Sequence, residues 1–426
     1  MSLGLNYTYV ILDVLDKLSS YDYVINNAED FRVDTPNKFS IESACLFSGV
    51  SSLALLFGEC DKVFPDKKFN LVAHMYMKKA IEAVNLSKLN PGVSLSTGIS
   101  GIAFALQSVR AGMNSYSKLQ SSLNSYILSF CQNITKENSD FFDIFNERKY
   151  DLMFGLCGVL NYMDLFLGNT SIKNAIKKLI SIFISKVKIN GMQGYSVKLT
   201  NSILPQTNKN GHYINLGMSH GITPILILLI KFYKQGIILD FHKETISIIA
   251  NWLLKQRKYD SSNLLFWPSS VYLDCEQDNH TRDAWCYGTP GISYSLLLAG
   301  KFLNEKKMIE TAVSGMEASL KRKKAILSPT FCHGWAGLYF LSKRFYFNTS
   351  KKYFKEACRD IQNKIFNSYN FKYPFGFVNV EEVNGQLNRF NHINLLSGVC
   401  GVLLTLVDDV NNSNCAKWEK IFLVDV

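Results

Sequence analysis

Two kinds of apolar pattern alternate along this chain. The first is a stripe. Met308, Ile309, Ala312, Val313, Met316 and Leu320 share one helical face, with Lys306, Lys307, Glu310 and Glu317 on the other. Leu119, Leu123, Ile127, Phe130 and Ile134 repeat the arrangement. The spacing predicts seven amphipathic helices, near 6–19, 66–86, 115–134, 171–187, 241–256, 304–323 and 350–368. The second pattern is a solid apolar run, such as Ile102-Ala103-Phe104-Ala105-Leu106 or Val402-Leu403-Leu404, which reads as a helix buried nearly all round.

Each solid run follows a Gly-x-x-Gly step or a close variant. The steps begin at Gly49, Gly98, Gly155, Gly221, Gly288, Gly334 and Gly398, with Ser52 and Pro224 standing in for the second glycine in the first and fourth. Glycine there allows unusual backbone angles and close approach of one helix start to the next. Seven amphipathic helices alternating with seven buried ones predict an outer ring around an inner ring, an all-α, α/α toroid. A linear solenoid is the alternative, but its terminal units need polar capping faces, and Leu395 to Leu406 show none.

The chain therefore reads as one toroid domain over 1–426, although its length alone suggests two or three. One stretch breaks the rhythm. Residues 188–216 hold Gly191, Gly194, Pro205 and Gly211 around the alternating Tyr195 to Thr200, which predicts a small β-rich insertion. Residues 257–281, with Trp267-Pro268, read as a long irregular loop.

Composition narrows the function classes. The formal charge of +11 suits an acidic peptide, a membrane surface or nucleic acid equally well. The basic residues are dispersed, and the densest run, Lys321-Arg322-Lys323-Lys324, reads as a solvated helix end. No nucleic-acid-binding motif is present, so nucleic acid is not an expected partner. Ten cysteines are scattered, and Cys131, Cys157 and Cys400 lie in apolar helices, as buried reduced thiols do. No signal peptide is visible, and the longest apolar run, Ile222 to Ile230, falls short of the ~20 residues a membrane span needs. A cytoplasmic protein is expected.

The chemistry-bearing residues share one position in the repeat. Cys286 and Cys332 each stand two residues before a first glycine, and His220 and His333 one before. Asp151 lies four before Gly155, and Arg282 six before Gly288. Equivalent positions in equivalent repeats meet at one end of the ring, where the N-termini of the inner helices favour negative charge. Cys286, Cys332 and His333 form a Cys₂His set that suits zinc with an open fourth position, the arrangement of catalytic rather than structural sites. His74 and His242 fall on amphipathic helices. His212, His280 and His392 fall in predicted loops, and all five read as ordinary surface or hydrogen-bonded residues.

At these residues the chain resembles the lanthionine synthetase C family of lantibiotic cyclases, in its nisin-cyclase type. The matching stretches are Tyr150-Asp151-Leu152-Met153-Phe154-Gly155-Leu156, Gly217-Met218-Ser219-His220-Gly221, Arg282-Asp283-Ala284-Trp285-Cys286-Tyr287-Gly288 and Cys332-His333-Gly334. The similarity runs through essentially the whole chain. No kinase-like or dehydratase-like region precedes it, as in a free-standing cyclase. The resemblance implies an α/α toroid, one zinc ion and addition of peptide cysteine thiols to dehydroalanine or dehydrobutyrine, which gives lanthionine and methyllanthionine rings. A free thiol has a pKa of ~8.5 and is mostly protonated in the cytosol, whereas a metal-bound thiol is deprotonated.

By resemblance and position, His220 is the candidate acid–base, Asp151 orients it, and Arg282 pairs with Asp151 or holds developing negative charge. The implied partners are a dehydrated precursor peptide with its leader, and a dehydratase and peptide exporter in a membrane-associated complex. That places the protein peripherally at the inner face of the cell membrane. Two other readings stand beside this one. The first is a zinc toroid activating a different thiol, as protein prenyltransferases do, although the paired aspartates expected there are missing. The second is a non-catalytic peptide- or glutathione-binding relative.

Overall fold

A computed structural model of the chain describes residues 2–30, 41–86, 91–110, 116–136, 146–202, 211–274, 276, 279, 281–322, 326–383, 385–411 and 417–425. Pro205, His280, Lys323 and Lys324, all named above, lie outside them. Helices α1 (Ser2–Leu18) and α2 (Tyr21–Asn27) lead into the alternation. Solid and striped helices then follow in pairs: α3 (Ser51–Val63) and α4 (Phe69–Leu86), α5 (Ile99–Arg110) and α6 (Ser117–Lys136). The short α7 (Glu147–Tyr150) precedes α8 (Leu156–Met163) and α9 (Thr170–Asn190). Then come α10 (Thr223–Lys234) and α11 (His242–Lys255), α12 (Thr289–Leu303) and α13 (Lys306–Arg322), α14 (Trp335–Thr349) and α15 (Lys352–Asn367), and finally α16 (Val399–Asn411). All fourteen predicted helices are present, the seven amphipathic ones within a few residues of their expected ends.

The chain divides into two compact units. In the unit of residues 1–125, 326–343 and 352–421, the glycine-led helices α16, α3 and α5 pack side by side, and the striped α4 lies against α3 and α5. In the unit of residues 126–325, 344–351 and 422–426, α8, α10 and α12 are the successive neighbours. There α9 covers α8, α11 lies on α10 and α12, and α13 on α12. Burial follows the sequence pattern. Every residue from Thr223 to Phe232 and from Thr289 to Gly300 is buried, whereas α13 buries Met308, Ala312, Val313, Met316 and Leu320 and exposes its charged face. Each large apolar side chain so placed contributes ~1.5–3 kcal/mol.

The glycine steps have a single structural cause. Before five of the seven inner helices the chain folds back across the helix start. The amide after the first glycine donates to the carbonyl seven residues earlier: Val50 to Ser43 (2.9 Å), Ile99 to Gly92 (2.8 Å), Ile222 to Asn215 (3.0 Å), Trp335 to Ser328 (2.9 Å) and Val399 to His392 (2.9 Å). A hydroxyl one position further on repeats the bond, from Ser51 to Ala44 O, Ser100 to Val93 O and Thr223 to Leu216 O. The returning backbone leaves no room for a side chain. A Cβ on Gly98 would lie 2.4 Å from Gly92 O, and one on Gly334 2.4 Å from Ser328 O. Close approach, rather than unusual torsion, thus explains these glycines. Gly288 is the exception, with φ +86° as well as a Cβ that would fall 1.7 Å from Arg282 O.

The β structure is short. Strands β1 (Val197–Lys198) and β2 (His212–Asn215) pair antiparallel, and β5 (Ser270–Tyr272) adds to the other edge of β2. The stretch 257–281, expected to be an irregular loop, therefore supplies β5 and also a two-stranded ladder of β3 (Lys258–Tyr259) and β4 (Leu265–Phe266). Strands of two or three residues are too short for an alternation to show in sequence. His212 lies in β2, not in a loop, with its Nδ1 2.8 Å from Asp274 Oδ2. His242 is fully buried, its Nε2 3.0 Å from Leu229 O. A hairpin of β6 (Asn379–Val383) and β7 (Gln386–Phe390), turning at Gly385, was not expected. Its polar, largely exposed face carries no apolar alternation.

Candidate metal centre and acid–base pair

Two sets of the predicted side chains are brought together. The ligand atoms of Cys286, Cys332 and His333 all lie within 4.8 Å of one another, a group that could hold a metal ion. Each is set by the turn ahead of an inner helix. Cys332 N donates to Leu396 O at 2.9 Å, and Phe331 N to the same oxygen at 3.0 Å. The carbonyl of Cys286 accepts from Ser219 N at 3.2 Å and from Ser219 Oγ at 3.3 Å. Two thiols and an imidazole are soft and borderline donors.

The loop that carries Cys286 is tied down by Arg322, the last residue of α13. Its Nε and Nη2 donate to the two carboxylate oxygens of Asp283, each at 3.0 Å. Its Nη1 reaches Leu265 O at 3.0 Å and Asp260 Oδ2 at 3.3 Å, and Nη2 reaches Thr289 Oγ1 at 3.4 Å. Arg322 is thus a largely buried clamp, not part of a solvated helix end. Asp283 pairs with it rather than with its neighbour Arg282, whose exposed side chain makes no hydrogen bond or ion pair among the described residues.

The second set is an acid–base pair. Asp151 is fully buried. Its Oδ1 accepts from Phe154 N at 2.6 Å and Gly155 N at 2.7 Å, and its Oδ2 lies 2.5 Å from His220 Nδ1. A carboxylate only accepts, so Nδ1 carries a proton and Nε2 points away from Asp151. The amide of Leu152 donates to Ser219 O at 3.1 Å, which fixes the two loops to each other.

Two aromatic residues at the site were not singled out from sequence. Phe154 stacks on His220, with ring centroids 5.6 Å apart and planes 15° apart, and Arg148 Cζ lies 5.2 Å from the centroid of the Phe154 ring. Tyr287 lies 6.2 Å from His220, centroid to centroid, and its hydroxyl receives Asn215 Nδ2 at 3.4 Å. Burial pushes the Tyr287 phenol well up, so it stays protonated. The signal for both was available. Phe154 and Tyr287 occupy the same place ahead of a first glycine as His220 and His333.

His333 has a carboxylate neighbour. Its Nε2 lies 3.5 Å from Glu381 Oε1, on β6. The ring beside it holds the Glu381 carboxyl down at about 2, against the upward push of partial burial. The three cysteines read as buried thiols are placed so. Cys131, Cys157 and Cys400 are buried free thiols, and burial alone pushes Cys131 up to about 12.

Nisin biosynthesis protein NisC of Lactococcus lactis subsp. lactis is 26% identical over 403 residues, covering 91% of this chain and 90% of that protein. Among solved structures, nisin cyclase matches with a TM-score of 0.76 at 21% identity, over 90% of this chain and 93% of that one. The likeness gives the chain the α/α toroid fold that the alternating helices predict. Residues 40–423 match the family described as lanthionine synthetase C-like protein, so this chain is a member of the lanthionine synthetase C-like family.

Proposed function

We propose that this chain is a zinc-dependent lanthipeptide cyclase. It adds cysteine thiols of a dehydrated precursor peptide to dehydroalanine or dehydrobutyrine and forms lanthionine or methyllanthionine rings. The observation that carries the reading is the convergence of Cys286, Cys332 and His333. Three protein donors of this kind suit zinc and leave a fourth position open. Bound there, zinc supplies a Lewis acid that ionises a thiol at neutral pH.

The chain's own residues handle the proton and the charge. In the addition, sulfur bonds to the β-carbon of the dehydro residue, and the alkene electron pair moves toward the α-carbon and its carbonyl. The proton lost from sulfur is balanced by one gained at the α-carbon, so mass does not change. His220 Nε2, the nitrogen turned away from Asp151, is the group that transfers this proton. Asp151 fixes the tautomer and supports the imidazolium when it forms. Phe154 holds the ring plane. Arg282, exposed and unengaged by Asp151, is available to hold the negative charge that develops on the substrate carbonyl.

The wider setting is part of the same reading. The +11 charge suits an acidic leader segment or an anionic membrane. A dehydratase and a peptide exporter at the inner face of the membrane are the expected company of such a cyclase. Among the described residues no helix is long and apolar enough to cross a membrane. Residues 188–216, which carry β1 and β2, are read as a small β-rich insertion in a single cyclase domain.

The test is direct. The purified protein is incubated with a dehydrated, cysteine-containing precursor peptide, and free thiols are counted by alkylation. Loss of thiols at unchanged peptide mass is expected. Retained thiols with the metal bound would instead make the protein a binding relative.

A further inference from the structure

We infer that Glu381 is the positioning residue for His333, holding Nε2 so that Nδ1 is the nitrogen offered to the metal. This rests on the metal reading above and extends it to a part of the chain that the glycine repeats do not contain. The first observation is the placement of the carboxylate, 3.5 Å from His333 Nε2. A metal-bound histidine needs its second ring nitrogen fixed, and a carboxylate is a common partner for it.

The second observation is that Glu381 is itself held in place. Asn379 Nδ2 donates to the same oxygen, Oε1, at 2.7 Å. Asn379 and Glu381 are two apart on β6, so their side chains leave the strand on one face. Asn379 is buried, and its Oδ1 accepts from Ser328 Oγ at 2.9 Å and from Thr330 Oγ1 at 3.4 Å. Val380 N also donates to Ser328 Oγ, at 3.3 Å.

Ser328 and Thr330 belong to the turn that presents Cys332 and His333. A continuous polar path therefore runs from that turn through Asn379 and Glu381 back to the His333 ring. Two neighbouring positions of β6 thus do two jobs: Asn379 fastens the hairpin to the ligand loop, and Glu381 meets the ligand side chain. A strand whose only task was structural would not need to set a carboxylate beside an imidazole nitrogen.

The experiment measures zinc affinity by chelator competition, which does not depend on turnover. Wild type and Glu381→Ala are compared, and both again in a His333→Ala background. Loss of such a partner typically weakens metal binding 10–100-fold, and that is the expected effect of Glu381→Ala. In the His333→Ala background the same change should have no further effect. Glu381→Gln, which keeps an acceptor of the same reach, should recover part of the loss. Equal affinity of Glu381→Ala and wild type would overturn the inference and leave the metal reading intact. So would an equal loss in both backgrounds, which would mean that the hairpin acts without His333. X-ray absorption of the zinc protein showing an oxygen ligand that disappears in Glu381→Ala would also overturn it, since Glu381 would then be a ligand. A wild-type protein that binds no zinc would overturn both readings together.

Discussion

Asp151→Asn tests the acid–base assignment most sharply, because the replacement preserves shape and changes only charge and donor pattern. The wild-type carboxylate accepts three N–H groups, from Phe154, Gly155 and His220. An asparagine oxygen can keep the two backbone donors on the Oδ1 side. Its amide then faces His220 Nδ1, which must become an acceptor. The ring proton moves to Nε2, and the tautomer is inverted. Hydrogen bonds to charged groups contribute about 1.5–3 kcal/mol and neutral ones about 1 kcal/mol, so exchanging the charged bond to His220 for a neutral one should lower stability by about 1–2 kcal/mol. An acid–base group is worth ~10²–10⁴ in rate, or about 3–5 kcal/mol of barrier. Single-turnover cyclisation of one dehydrated peptide should slow by that factor in Asp151→Asn and in His220→Asn, with zinc content unchanged in both. The two residues act as a unit, so the double variant should be no slower than His220→Asn alone. A folded Asp151→Asn protein that cyclises at the wild-type rate would show that Asp151 does not govern His220. Zinc lost as completely as in a cysteine variant would make His220 a ligand instead.

Three further outcomes are expected. Cys286→Ala and Cys332→Ala should each lose zinc and activity together, whereas a metal-free preparation with full activity would contradict the metal's role; elemental analysis beside the thiol assay decides this. Gly288→Ala should cost ~3 kcal/mol or more and release the Cys286 loop, because the position combines φ +86° with a Cβ 1.7 Å from Arg282 O; an unchanged denaturation midpoint would refute this. Burial pushes the His242 imidazole down from its ordinary value, so its contribution to stability is present above ~6.5 and is lost as pH falls through the depressed folded-state value. Thermal melts from about pH 7 down to about pH 4 should therefore fall more steeply for wild type than for His242→Gln.

The helical part of this fold is legible because every helix announces its face. A stripe such as Met308 to Leu320 can bury only one side, and a run such as Ile225 to Ile230 has no side to expose. The ligands are legible for a different reason: repetition gives Cys286, Cys332, His220 and His333 a common address, and residue type does the rest. Phe154 and Tyr287 share that address but carry no ligand atom and no mid-range pKa, so residue type did not mark them. Arg322 was masked by its basic neighbours, since nothing local says that one of four cations turns inward to Asp283. The β6–β7 hairpin was invisible because its exposed face has no apolar period. Glu381 went with it, and a contact between residues 333 and 381 is set by the tertiary fold alone.

The turn before each inner helix has a further consequence. In five of the repeats the bonds that close it come from residues after the first glycine and from backbone that folds back over the helix start. The two places just ahead of that glycine hold Ser96 and Thr97 in one repeat, Met153 and Phe154 in another, Ser219 and His220, Cys286 and Tyr287, or Cys332 and His333 in others. They act as interchangeable sockets on a standard fitting. A hydroxyl can be traded for a thiol, or a ring for a ligand, one residue at a time while the scaffold stays as it is. New chemistry on this scaffold is therefore a matter of which socket is filled, and a designer could place a second soft-metal or acid–base group at Ser96 or Thr97 without redrawing a single turn.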